Sequence, residues 1–143
     1  MKKVFLDSSV LVAACASETG ASSLILVYCQ NKKIQGYISI DTVGEARKNV
    51  LNKLSEKGRE RLIYLLKKAN LNLVDDPLAE EIVECEKVIH EKDAPILAAA
   101  IKSPVKFLLT LDRKHFLQPK VKGFTKHLKI LTPGEFVKEY FRK

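Results

Sequence analysis

No stretch of this chain approaches the roughly 18 consecutive apolar residues that a membrane-spanning helix requires. The opening MKKVFLDSS offers only Val4, Phe5 and Leu6 before its first acid. That is too short an apolar core for a secretory signal, so the expectation is a protein that stays in the cytoplasm, with no membrane contact. Cysteine is scarce and odd in number: Cys15, Cys29 and Cys85 lack metal-ligand spacing and fall in helix-like, largely apolar stretches. A disulfide framework and a cysteine–zinc site are thereby set aside in favour of buried free thiols. Internal repeats, linkers and low-complexity segments are missing too, which makes residues 1–143 a single domain, long enough to bury a core without staples.

Acid is in short supply relative to base. With 17 Asp and Glu against 25 Lys and Arg, the formal charge is +8 and the pI is about 9.4. Such an excess favours polyanionic partners, nucleic acid first. The basic residues are spread along the sequence, with a mild concentration from Arg113 to Lys129, and read as a diffuse field rather than a dedicated arm.

What is present is an alternation of strand-like and helix-like segments. Residues 4–6, 36–40, 71–74, 106–110 and 128–131 read as short strands. Helical spacing of apolar residues marks 21–30, 42–54, 59–69, a helix opening at Asp76-Pro77, 94–101, and a last helix after Thr132-Pro133-Gly134-Glu135. The final one carries the Thr-x-x-Glu pattern of a capping box. The segment ILAAAI is apolar nearly all round, as suits a helix packed centrally. About five strands alternating with about six helices predict an α/β fold, a three-layer α/β/α sandwich around a mostly parallel sheet.

Four acidic residues then stand out: Asp7 in VFLDSSVLVA, Glu45 in DTVGEARKNV, Asp93 in KDAPILAAA and Asp112 in LLTLDRKHF. Each has an ordinary structural explanation. Asp7 and Asp93 precede helices and could cap them; Glu45 lies at capping-box distance from Thr42; Asp112 could serve a turn. Their shared placement argues for more. Asp7 and Asp112 sit just past strand ends, on one edge of a parallel sheet, where loops and helix ends carry functional groups. Glu45 comes one turn into the helix after the second strand, and Asp93 opens the central helix. Several carboxylates on one edge repel unless a cation neutralises them. Hard oxygen donors of this kind suit Mg²⁺ or Mn²⁺.

These motifs give the chain a resemblance to the PIN-domain nucleases, and within them to the VapC-type toxin ribonucleases. VFLDSSVLVA is similar to the family's first strand with its Asp and a small polar residue two positions on, here Ser9. Glu45 matches the acidic position in the helix after the second strand, in preference to the nearby Asp41. KDAPILAAA and LLTLDRKHF resemble the third and fourth acidic motifs, with Thr110 two residues before Asp112, and LTPGEFVKEY the closing strand and helix. The resemblance spans about residue 3 to residue 140. Ser9 stands where many relatives have Asn, a mild departure.

The resemblance implies metal-dependent hydrolysis of RNA phosphodiester bonds, with Asp7, Glu45, Asp93 and Asp112 catalytic. Asp7, Asp93 and Asp112 would hold Mg²⁺ or Mn²⁺, and Ser9 and Thr110 would support them. It also implies an antitoxin protein as partner and a homodimer. Arg113 and Lys114, next to Asp112, are candidates to touch RNA phosphates. His115, beside Phe116, reads more readily as a packing or surface residue than as a catalytic one. Three other readings compete: a non-toxin nuclease of RNA processing or decay, a non-catalytic RNA-binding module of the same fold, and a DNA-directed nuclease. A phosphorylation-dependent receiver domain fits poorly, because Ser8-Ser9 stands where a second acid would be needed.

Overall fold

The computed structural model describes residues 1–141. Its chain runs β1 (Lys3–Leu6), α1 (Ser8–Ala16), α2 (Ala21–Gln30), β2 (Gln35–Ile38), α3 (Ile40–Lys53), α4 (Glu56–Lys68) and β3 (Asn72–Leu73). There follow α5 (Ala79–Glu86), α6 (Ala94–Lys102), β4 (Phe107–Leu109), α7 (Pro119–Phe124), β5 (Lys129–Leu131) and α8 (Pro133–Tyr140). The five strands form one sheet in the order β3-β2-β1-β4-β5, and every pairing is parallel.

Strand alternation assigns the two faces. Leu6, Leu109 and Leu131 are in register and point into one apolar cluster with α1, α2, α3, α4 and α8. Phe5, Leu108 and Ile130, one residue earlier on each strand, point into the other with α5, α6 and α7. Both faces are therefore covered, the condition for an all-parallel sheet with continuous apolar strands. Phe5, Leu6, Leu108 and Leu109 have no exposed surface. Burying a side chain of that size is worth about 1.5–3 kcal/mol. The three-layer sandwich is as the alternation indicates.

Helix α6 is the central helix that ILAAAI predicts, buried at Ala94 and from Ile96 through Ala100. All three thiols are free and buried, in α1, α2 and α5, and burial pushes them up to about 11, 12 and 11 for Cys15, Cys29 and Cys85. Gly36 in β2 is a packing requirement: a Cβ there would come within 2.6 Å of Leu71 Cδ2 and 2.9 Å of Cys29 Sγ. Among the described residues, no single helix is long and apolar enough to cross a membrane.

The local readings need four corrections. The second strand stops at Ile38, and α3 starts at Ile40, because Ser39 caps it by accepting the Thr42 N–H at 3.2 Å. Helix α5 opens two residues after Pro77, with Leu78 at its N-cap and the Glu81 carboxylate accepting the Leu78 N–H at 2.7 Å. The strand at 71–74 shrinks to Asn72–Leu73 at the sheet's edge. Finally, eight helices are formed among the described residues. The supposed basic loop contains α7, a helix of six residues with Pro119 in its first turn, too short to show a period.

Candidate active site

The strand order changes direction between β1 and β4: the chain builds outward from β1 to β2 and β3, then returns to the other side of β1. Ligand crevices of open α/β sheets form beyond the strand C-termini at such a switch point. Asp7 and Thr110 each follow one of these two strands directly.

Asp7 continues the β1 ladder, its N–H donating to Leu109 O at 3.0 Å, and occupies the N-cap position of α1. Its side chain makes no capping hydrogen bond. Instead Asp7 Oδ2 accepts from Ser9 Oγ at 2.7 Å and from Thr110 Oγ1 at 2.8 Å. Each hydroxyl in turn accepts a backbone N–H of the segment leaving β4: Leu111 N to Ser9 Oγ at 2.9 Å, and Asp112 N to Thr110 Oγ1 at 3.0 Å. The two hydroxyls thus lock the exits of β1 and β4 together while fixing the rotamer of a buried carboxylate. Burial raises the Asp7 carboxyl from 3.8 to about 6, against the opposing pull of those two hydrogen bonds and with a smaller upward push from Glu45.

Glu45 does not act as a capping-box partner of Thr42, since the cap is Ser39. It lies further into α3, on the turn facing α1, and its Oε1 accepts from Ser8 Oγ at 2.8 Å. Asp41, the neighbouring acid, is exposed in the first turn. Asp93 holds the N-cap position of α6 but makes no side-chain capping bond either. Its Oδ2 lies 3.3 Å from His115 Nδ1. Asp112 partly fulfils its turn reading: Oδ1 accepts from Lys114 N at 3.1 Å and His115 N at 3.0 Å. Its other oxygen, Oδ2, is 3.1 Å from the same His115 Nδ1.

An imidazole nitrogen placed between two carboxylate oxygens is a donor, so the geometry assigns the proton to His115 Nδ1. The His90 ring stands close by, its centroid 5.8 Å from that of His115. Burial raises the Asp93 carboxyl first; His115 then pulls it down, Glu45 and Asp112 push it up, and His90 pulls it down. Glu45 therefore bears on Asp7 and Asp93 alike, and Asp112 on Asp93, so the four carboxylates share one electrostatic field.

The tightest set of donor atoms is Asp93, Asp112 and His115, all within 4.8 Å of one another. The set expected from sequence has Asp7 in place of His115. Asp7 instead sits in its own hydroxyl cage, joined to Asp112 through Thr110. His115, weighed from sequence and set behind a packing or surface reading, joins the candidates on this geometry, and its spacing of three residues from Asp112 on a turn is the signal for it. Arg113 and Lys114 are exposed at the rim, as their position suggests. His127 lies elsewhere, at the opposite edge of the sheet.

A sequence model of the PIN domain matches residues 3–114, and the chain belongs to the PIN domain family. No curated protein matches the chain significantly. Among solved structures it is similar to VapBC2 from Rickettsia felis bound to a DNA fragment from their promoter, with a TM-score of 0.65 at 17% identity over 91% of this chain and 98% of the other. It is also similar to VapBC-1 from nontypeable Haemophilus influenzae, with a TM-score of 0.62, 13% identity and coverage of 92% and 98%. A third is VapC20 of Mycobacterium tuberculosis, a sarcin-ricin loop cleaving toxin, with a TM-score of 0.58, 14% identity and coverage of 78% and 91%. At these identities the likeness is one of fold.

Proposed function

We propose that this protein is a divalent-metal-dependent endoribonuclease and the toxin of a toxin–antitoxin pair. One observation carries the reading: Glu45, Asp93 and Asp112 converge beside buried Asp7, from four separate elements, at the switch point of the sheet. A purely structural role accounts for little of this, because neither Asp7 nor Asp93 uses its side chain to cap the helix it precedes.

The donor set fits Mg²⁺ or Mn²⁺: the atoms free to ligate are carboxylate oxygens, His115 Nδ1 being engaged as a hydrogen-bond donor, and no cysteine belongs to the set. Asp93 and Asp112 would hold the ion directly, with Asp7 and Glu45 as further anionic support. Bound there, it would offset the carboxylates' repulsion, acidify water and neutralise charge developing on a phosphodiester. The chain's own residues set the stage. Ser9 and Thr110 keep Asp7 in one orientation. His115 donates to Asp112 and lies 3.3 Å from Asp93, and so keeps both carboxylates about one point. Arg113 and Lys114 offer the adjacent phosphates two cations.

The test is cleavage of RNA oligonucleotides by wild type and Asp93→Asn with Mg²⁺, Mn²⁺ or EDTA, single-stranded DNA serving as comparison. Cutting that needs the metal and Asp93, and that prefers RNA, is expected. Undiminished cutting in EDTA would remove the metal from the reading, and equal cutting of DNA would shift it to a DNA-directed nuclease. For the partner, VapBC structures among the fold's likenesses support an antitoxin. Co-expression with the product of the adjacent gene should suppress the cleavage; its failure to do so argues for a nuclease of RNA processing or decay. The homodimer of the same reading is checked by the mass in solution.

A further inference from the structure

The sheet's other edge is built differently. Lys106 N–H donates to Lys3 O, and Lys129 N–H donates to Lys106 O, so three lysines stand close together at the entries of β1, β4 and β5, with Lys129 in register with Phe107 and its side chain on the opposite face of the sheet from that of Lys106. Gln35 N–H donates to Lys2 O, which brings Lys2 and the exposed Lys33 to the same edge at β2. Two clefts open on this edge. One is lined by Lys2, Lys3 and Lys106, the other by Lys106, Lys122, Lys126 and His127. Lys106 and Phe107 belong to both, so the clefts adjoin there and present one basic groove surface. None of the described residues lining either cleft is acidic.

Aromatic rings accompany the lysines. Half-buried Phe107 lies where the clefts meet, and Tyr140 lines the second. Lys2 Nζ stands 4.9 Å from the centroid of the Tyr140 ring. Of these lysines, Lys129 pairs with Glu139 at 2.8 Å. The remaining ammonium groups repel one another along clefts whose own lining residues include no acid, Glu139 and Glu135 standing only beside Lys129 and Lys122. A chain of phosphates relieves that repulsion and releases counterions, while rings among lysines offer bases a stacking surface.

We propose that this groove is a second RNA-binding surface, engaging the phosphate backbone at the sheet edge opposite the carboxylates. The choice of RNA as the polyanion rests on the proposed function; the surface itself does not. It would hold a segment of RNA away from the scissile bond, so long RNAs gain affinity that short ones lack.

The test is fluorescence-anisotropy binding of a single-stranded RNA oligonucleotide by the full chain in EDTA, over a range of salt. Three proteins are compared: wild type, Lys2→Gln/Lys106→Gln/Lys126→Gln, and a control with the same charge change on exposed positions of α3 and α4, Lys53→Gln/Lys57→Gln/Lys67→Gln. The groove variant should bind about tenfold more weakly near 0.1 M salt, with a log–log salt slope shallower by about 2. The control should stay close to wild type. Equal loss in both variants, or none in the groove variant, overturns the proposal. So does capture of anionic phospholipid vesicles by the groove with RNA binding unaffected. Cleavage of a short oligonucleotide by the groove variant should match wild type, which separates failure here from failure of the nuclease reading: the latter would show as a wild type that never cuts.

Discussion

The two edges of the sheet are chemical opposites. Beyond the strand C-termini, Asp7, Glu45, Asp93 and Asp112 gather partly or wholly out of solvent, held by hydroxyls and by His115. Before the strand N-termini, lysines stand in water on flexible stems, with few partners. Burial explains why only the first edge is chemically poised. A charge removed from water is destabilised by an amount that a bound cation can recover, whereas a solvated lysine has little to gain from any one contact. The acidic edge is thus suited to hold one ion in one geometry. The basic edge suits many weak, salt-sensitive contacts.

The largest effect should come from breaking the acidic edge. Asp93→Asn is expected to lower RNA cleavage at least about 10²-fold, because it removes a charge on which the cation depends. Circular dichroism and the melting temperature should be unchanged or improved, since the Asp93 side chain makes no capping bond and its neutralisation relieves repulsion from Glu45 and Asp112. A variant that still cuts like wild type would reduce Asp93 to a structural residue.

Asp7→Asn should separate stability from activity. In the folded chain this carboxyl ionises near pH 6 rather than at 3.8, so between those values the native state binds more protons than the unfolded one. Stability therefore falls as pH rises through that window, and above about pH 6 ionised Asp7 costs the fold up to about 3 kcal/mol. Asn accepts the same two hydroxyl hydrogen bonds without the charge. The variant should melt higher than wild type at pH 7.5 in EDTA, with the difference shrinking toward pH 4, and should not cut RNA. Melting lower at every pH would mean that Asp7 is a structural acid.

Divalent metal sharpens the same contrast. Saturating Mg²⁺ or Mn²⁺ at about a hundred times its dissociation constant should stabilise wild type by about 2–3 kcal/mol, and Asp93→Asn far less. Thr110→Val then tests the hydroxyl cage. Loss of one donor to Asp7 and of the acceptor for Asp112 N–H should lower activity about tenfold and stability by about 1–2 kcal/mol, by chemical denaturation. The smallest effect is expected at the rim. Arg113→Gln/Lys114→Gln should weaken RNA binding only a few-fold and flatten its salt slope by about 1.4.

Much of this was legible in the residues. Strand-length apolar runs and an all-apolar helix indicate a covered parallel sheet, and the position of each acid relative to a strand end or helix start marks it before any contact is known. The errors fall where local signals compete. Asp76-Pro77 has the chemistry of a helix start, yet the helix waits for Leu78, where Glu81 can bond back to the backbone. Thr42 looks like a cap, but Ser39 reaches the turn first. Beside wholly buried Phe116, the half-buried His115 side chain lies within 3.3 Å of both Asp93 and Asp112, a placement no local signal gives.

Sequence alone determined which residue types this chain presents at strand exits and helix starts, because period and capping chemistry act over a few neighbours. The sharing of one field by Asp7, Glu45, Asp93 and Asp112 was decided only by the strand order, which sets β1 beside β4. So was the gathering of scattered lysines at the other edge: Lys3, Lys106 and Lys129 are far apart along the chain and meet only because backbone hydrogen bonds join the entries of β1, β4 and β5. Charge in a sequence has no direction until a sheet gives it two edges.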